Sequence, residues 1–496
     1  MADVDPAEAA FDALLDELTS LEVSKLTWLE IAARLLTFCH KFRPLATAWS
    51  GLSIDPWHTV LGVELSAGDA LVNVDRTFFV QRPGLASKLV ASSSFASREH
   101  VRALVATAKS ALSPRPFADT RFSLSVVARG LAGAIDNLAG STYMTWFKNQ
   151  GEVTIAEGEP YPVCSHDPRP WLGTHAANTN PASRPNRDLS FTPSLRIATG
   201  PLGFTYTLDF TFWDRLSPLG SSPNGLVMAA AQPNLGLAEF TMDTDNPPND
   251  PATWYANHGP GNAVEQVDRI TRLIEAAMRQ GAELVLMPEY AASEITHTAL
   301  ETALSGKPAP IVFCIGISRP DKNKYVHNEA WLRVSTPGVS QSYSAHFHAK
   351  TSGAKLFGAA ERIHTASEIR VFVSPNWSLS VLICVEVLAT EIPDQLAKIG
   401  ANLLLVPAMS EKTGSMARDA GGLREGSQAF VVMANGPAFW WPMQDPPCEA
   451  FFAGPYASSP SSWEAPLPGQ ARKLNKIAAW IFRASRKTVS IRQLPA

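Results

Sequence analysis

The chain is short of cysteine, of long apolar runs and of surplus charge, and each shortage closes off a class of protein. Its five cysteines (Cys39, Cys164, Cys314, Cys384 and Cys448) are scattered along 496 residues, odd in number and without a CxxC pair. No Cys/His spacing suits structural zinc, so neither a disulfide framework nor a zinc module is expected, and a reduced compartment fits best. No apolar run is long enough to cross a bilayer. The amino-terminal stretch MADVDPAEAAFDALLDEL is acidic and amphipathic, with no basic segment before an apolar one. A signal peptide is therefore not expected, and a cytoplasmic location is. Lys and Arg number 42 against 46 Asp and Glu, a formal charge of −4 that leaves no basic footprint for nucleic acid. Neither a G-x-x-x-x-G-K-[ST] loop nor a Rossmann glycine fingerprint is present.

What is there is enough chain for two domains. Residues 6–42 place Phe11, Leu14, Leu15 and Leu18, then Leu26, Leu29, Ile31, Leu35 and Leu36, at helical spacing, which predicts two amphipathic helices packed into a local core. REHVRALVATAKSAL, ended by Pro114, predicts another, and a further helix is expected over 123–138 despite Gly130 and Gly133. These make residues 1–163 a mainly helical N-terminal domain. Residues 164–222 open on a Pro-, Asn- and Ser-rich run that reads as a linker, then GFTYTLDFTFW, a strand that could belong to either neighbour. From 223 to 496 the character is α/β: apolar strands at 226–231, 284–287, 311–316, 379–384, 401–407 and 429–434, helices at 262–280 and 391–399, and a hairpin pairing 328–334 with 341–350.

Three ionisable groups fall at the ends of apolar strands in this half. GAELVLMPEY places Glu289 just past one strand, HFHAKTSGAKLFGAAERI ends another at Lys350 and carries Lys355 and Glu361 beyond it, and LSVLICVE delivers Cys384. Strand ends of an open α/β sheet are where ligands and chemistry collect. A thiol near its free pKa is mostly protonated at neutral pH, so a nearby carboxylate must take the proton. A buried carboxylate of raised pKa can serve as that base and later as acid, while an ammonium stabilises the oxyanion of a tetrahedral intermediate. Taken singly each residue reads more blandly: Cys384 as a small core hydrophobe, Glu289 and Lys350 as solvated charges. His346 and His348 read as an exposed polar strand face rather than a pair with Cys384, and Cys314 as core.

Together GAELVLMPE, the HNEAWLRVSTPG…FHAK segment, LSVLICVE, IGANLLLVPA and FVVMANG resemble, in order and spacing, the nitrilase superfamily of carbon–nitrogen hydrolases over residues 225–455. The resemblance implies an αββα sandwich, often dimerised, and a Glu-Lys-Cys triad. Carried over, Cys384 is the nucleophile, Glu289 the general base, and Lys350 the oxyanion stabiliser. The backbone N–H of Val385 is a second oxyanion donor, and Glu361 a second glutamate that positions substrate or triad. Two features depart or stay open. Val385 and Glu386 stand where the family usually has an aromatic residue and Asp, and Lys355 is the alternative to the preferred Lys350.

The expectation is thus a cysteine-dependent hydrolase cleaving an amide, carbamoyl or nitrile carbon–nitrogen bond through a thioester. It would need no cofactor or metal and would act on a small amide-like substrate as a homo-oligomer. No nucleotide-dependent synthetase module follows the hydrolase half, so a glutaminase feeding a fused synthetase is not expected. The alternatives are an acyltransferase using the same triad, and a regulatory or effector module governed by the N-terminal domain, which would also offer a surface for a protein partner.

Overall fold

The computed structural model describes residues 5–20, 26–43, 56–74, 95–163, 189, 191–198, 202–222, 225–245, 253–321, 325–336, 343–427, 429–438, 447–454, 462–465, 478–484 and 489–495. The chain divides into two compact units, one of Met1–Ser165 with Thr179–Leu202 and the other of His166–Asn178 with Gly203–Ala496.

The first unit is built on the helices Pro6–Ser20, Trp28–Lys41, Pro56–Val74, Arg98–Ala111 and Thr120–Lys148. Local chemistry fixes their starts. Thr27 and Glu30 form a reciprocal capping box, and the side chains of Ser97 and Asp119 accept the orphan N–H groups of His100 and Phe122. The stripes read from the sequence are buried, with Phe11, Leu15 and Leu18 on the first helix and Ile31, Leu35 and Leu36 on the second. The helix expected over 123–138 runs further at both ends, and its glycines do not break it. A Cβ at Gly130 would lie 2.6 Å from the Cβ of Val63, so the missing side chain is what lets the Pro56–Val74 helix approach. That Pro56–Val74 helix has no counterpart in the sequence reading. Strand Leu195–Ile197 pairs antiparallel with Pro160–Pro162 in this unit. Much of the expected 164–222 linker, from 164 to 188, lies outside the described residues.

The second unit holds two large sheets. In one, the strands run Thr205–Asp209, Glu368–Val373, Ser378–Val381, Leu403–Ala408, Phe430–Asn435, Ala450–Ala453 and Ser462–Ala465. The GFTYTLDFTFW strand therefore belongs here, parallel to Glu368–Val373. In the other, the order is Tyr343–Ala349, Val326–Ser335, Val312–Pro320, Leu284–Leu286, Leu226–Gln232, Ala478–Ala484 and Val489–Pro495. The expected hairpin is present, with Trp331 opposite Phe347, although Pro337 and Gly338 of its turn lie outside the described residues.

The central strands of both sheets are parallel and buried on both faces, which is why they read as unbroken apolar runs. Across the two sheets Phe452 stacks on Phe482 at 5.1 Å, and His346 meets Phe372 edge-on at 5.2 Å. On the outer side of the second sheet the helices Ala263–Arg279 and Glu294–Leu304 bury Ile270, Leu273, Ile274, Leu300 and Leu304 with Val285, Phe313 and Ile481. Helix Thr413–Ser427 lies against Phe430–Asn435 and against helix Glu391–Ile399. Among the described residues no helix is long and apolar enough to cross a membrane.

Candidate active site

The charged residues come from the ends of strands in two different sheets. Glu289 follows Leu284–Leu286 by three residues, and Tyr290 next to it has φ +59°, so the chain leaves the sheet sharply there. Room for this turn comes from Gly316 on the neighbouring strand. A Cβ at Gly316 would stand 2.4 Å from the Cα of Glu289 and 2.7 Å from the Pro288 carbonyl oxygen. Lys350 ends strand Tyr343–Ala349, its N–H donating to the carbonyl of Asn328 at 2.9 Å. Glu361 ends the short strand Ala359–Glu361, which pairs with Trp254–Pro260.

The three side chains meet in the interior. Lys350 Nζ donates to Glu289 Oε1 at 2.6 Å and to Glu361 Oε2 at 2.7 Å, and its side chain is 0% exposed. Asn328 Nδ2 donates to both carboxylates, at 2.6 Å to Glu289 and 2.7 Å to Glu361. Glu361 also accepts the Tyr290 hydroxyl and, at 2.7 Å, the Ala354 N–H. Buried ions survive only when paired and hydrogen-bonded, and here each is.

Cys384 arrives from a different sheet. Its strand ends at Val381, earlier than the apolar run implies, and the thiol-bearing residue opens the short 3-10 turn Cys384–Leu388 with φ +52°. A non-glycine residue in that region is strained and persists only where its surroundings hold it. Met409, just past strand Leu403–Ala408, links the groups: its N–H donates to Glu289 Oε2 at 2.9 Å, and its carbonyl oxygen lies 4.0 Å from Cys384 Sγ. Asn435 holds this segment from behind, accepting the Ser410 N–H at 2.8 Å and donating to the Ser410 carbonyl at 3.0 Å.

Burial sets the protonation states. It pushes the Cys384 thiol well above its ordinary value, with the Glu289 charge adding to the shift and Lys350 opposing it. Burial likewise raises the Glu289 carboxyl, against the pull of Lys350. On Glu361 burial is outweighed by Lys350 and by its hydrogen-bond donors, which hold the carboxyl below the usual range. Burial acts to neutralise Lys350, but Glu289 and Glu361 together keep it firmly an ammonium. The resting arrangement is thus a protonated thiol near a carboxylate with raised proton affinity and a fixed cation, which suits proton transfer followed by anion stabilisation.

Of the residues named from sequence, Glu289, Lys350 and Glu361 share one cluster, and Cys384 adjoins it through Met409. Lys355 does not: it is exposed on strand Lys355–Leu356. Val385 follows Cys384 in the turn and is half-buried. The expected exposed face for the histidines is corrected. His348 is 4% exposed, its Nε2 2.9 Å from Glu386 Oε2, and His346 is half-buried against Phe372. Cys314 is core, as read. Asn328, Tyr290, Met409 and Asn435 were not singled out. Three lie inside quoted motifs, GAELVLMPEY, HNEAWL and FVVMANG, and for the two asparagines a polar residue in an otherwise apolar strand was the available signal. Among the described residues no group of three or more His, Cys, Asp or Glu side chains is arranged to hold a metal ion.

No protein-family model and no curated protein matches the chain. About half of it is similar in structure to members of the nitrilase superfamily. An amidase of Nesterenkonia AN1 from that superfamily is 15% identical over 52% of this chain and 89% of its own, with a TM-score of 0.35. Nit3 of Saccharomyces cerevisiae, of branch 10 of the superfamily, is 13% identical over 54% of this chain and 90% of its own, also at 0.35. The glutamine-dependent NAD+ synthetase of Acinetobacter baumannii is 15% identical over 52% of this chain and 45% of its own, at the same TM-score. Likeness of this degree leaves the chemistry to be read from the chain's own residues.

Proposed function

We propose that the second unit is an αββα carbon–nitrogen hydrolase of the nitrilase type, using Cys384 as nucleophile, Glu289 as general base and acid, and Lys350 as oxyanion stabiliser. The observation that carries this reading is Met409, whose N–H is bound by Glu289 and whose carbonyl faces Cys384 Sγ. That residue is bound by the base through its N–H and faces the thiol through its C=O, with the Lys350 ammonium already seated on the base.

In the proposed reaction Glu289 takes the thiol proton as Sγ bonds to the amide carbon, and the carbonyl π electrons move to oxygen. Lys350 and the Val385 N–H stabilise that oxyanion. Its collapse breaks the C–N bond, and the leaving amine or ammonia takes the proton from Glu289, leaving a thioester on Cys384. Water then attacks the thioester while Glu289 accepts its proton. Collapse of the second intermediate releases the acid and returns the proton to sulfur. Glu361 holds the far side of Lys350, so the ammonium stays fixed while charge moves. An amide is the proposed substrate class; carbamoyl and nitrile carbons suit the same nucleophile.

The test is ammonia or amine release from a panel of small aliphatic and aromatic amides by the full chain and by Cys384→Ala. Turnover by the first and none by the second supports the reading. Turnover by both, or by neither, overturns it.

A further inference from the structure

Glu386 plays no part in the steps above, yet it is 0% exposed, two residues from the nucleophile, and held below the usual carboxylate range against its burial. We propose that Glu386 is a positioning residue for the Cys384 thiol and that His348 holds it in that role. The inference rests on Cys384 being the nucleophile.

Each of its partners is placed to donate. Oε2 accepts the N–H of Ile383, the residue before Cys384, and sits 2.9 Å from His348 Nε2. Oε1 accepts the N–H of Thr351, the residue after Lys350. One carboxylate thereby ties the turn that carries the sulfur to the strand end that carries the ammonium. This tie counters a specific cost. Cys384 has φ +52°, a strained conformation for a residue with a side chain, and it needs an external hold. Among the described residues the fix comes from the Ile383 and Glu386 side of the turn: the Glu386 N–H also donates back to the Ile383 carbonyl at 3.2 Å.

Charge as well as shape is required. In Glu386→Gln the amide would turn its NH2 toward the Ile383 N–H in one orientation and toward the Thr351 N–H in the other, so a donor faces a donor either way. Glu386→Asp keeps the acceptors but shortens the reach by one methylene.

The experiment measures the rate of Cys384 alkylation by iodoacetamide in the folded full chain, read by peptide mass, with Cys448 in the same unit as internal reference. It is run beside kcat and KM for the best amide. The inference expects Glu386→Gln to slow Cys384 alkylation at least tenfold and to lower kcat by a similar factor, with KM within twofold and Cys448 unaffected. Glu386→Asp should recover part of both losses. A merely structural role would lower the melting temperature and leave the Cys384 rate of the folded protein unchanged, and that result overturns the inference. Should Glu386→Gln not fold, His348→Leu removes one donor only. A slower Cys384 rate in that variant supports the inference, and an unchanged one overturns it. If wild-type Cys384 resists the reagent and no amide is turned over, the hydrolase reading fails, and this inference with it.

Discussion

Replacing Lys350 by methionine keeps most of the side-chain volume and removes the charge. The ammonium lies 2.6 Å from Glu289 and 2.7 Å from Glu361, and without it two buried carboxylates are left with the Asn328 amide, the Tyr290 hydroxyl and backbone donors. Removing one partner of a buried ion pair costs about 3–5 kcal/mol. Set against a domain stability of about 5–15 kcal/mol, that leaves a folded but weakened protein. Loss of one oxyanion donor should lower kcat by roughly 10²–10³.

The pH dependence identifies the cause. In the wild type Lys350 holds the Glu361 carboxyl below its ordinary value, so that pairing stabilises the fold above the unfolded pKa and is lost as pH falls through the folded one. In the variant burial is opposed by the Tyr290, Ala354 and Asn328 donors but no longer by a cation, and the carboxyl rises. Its folded form then binds a proton more tightly than the unfolded chain does, which favours folding on acidification. Both changes have one sign: the stability gap between variant and wild type should be widest near about pH 7.5 and narrow toward about pH 5. Urea unfolding at the two pH values, followed by circular dichroism, reads the gap directly. An equal gap at both, with kcat within threefold of wild type, would refute the reasoning.

Three further outcomes follow from the same geometry. Lys355→Ala should change stability by less than about 0.5 kcal/mol and leave kcat intact, because that side chain is exposed. Denaturant melts and steady-state rates check both. Gly316→Ala should destabilise by about 1–3 kcal/mol and reduce activity, since its Cβ would collide with the Glu289 backbone. A Glu289 side chain still reaching Lys350 in a crystal of that variant, with full activity, would count against it. Tyr290→Phe removes a donor from Glu361 and should cost about 1–3 kcal/mol of unfolding free energy. An unchanged urea midpoint would show that the hydroxyl is dispensable.

Much of the architecture was legible because periodicity carries it. The Ala263–Arg279 helix has Asn262 as its cap and a continuous apolar face, and the doubly buried strands appear as plain apolar runs. The same rule misled at Cys384. VLICV is apolar throughout, so nothing in the residue types marks the strand's end at Val381, and a left-handed residue is most readily foreseen when it is glycine. The Pro56–Val74 helix escaped because Gly62 and Gly68 interrupt its pattern and its partner face, at Gly130, lies far along the chain.

Lys350 is preferred to Lys355 on sequence because it continues the strand, and Lys355 stays open because it lies nearer Glu361. Register separates their positions, since Ala349 pairs with Glu329 and so brings Lys350 level with Asn328. The His348–Glu386 pair joins residues 38 apart in sequence, and the helix and strand periods that guide reading of a sequence do not span such a distance.

The central claim is a covalent bond from substrate carbon to the Cys384 sulfur. Acid-quenching the full chain during turnover of its best amide, then weighing the Cys384 peptide, tests it most directly. The account predicts a mass gain equal to the acyl group, reversed by hydroxylamine and absent from Cys384→Ala. Steady turnover with that peptide unmodified, or an acyl group found on another residue, would contradict it.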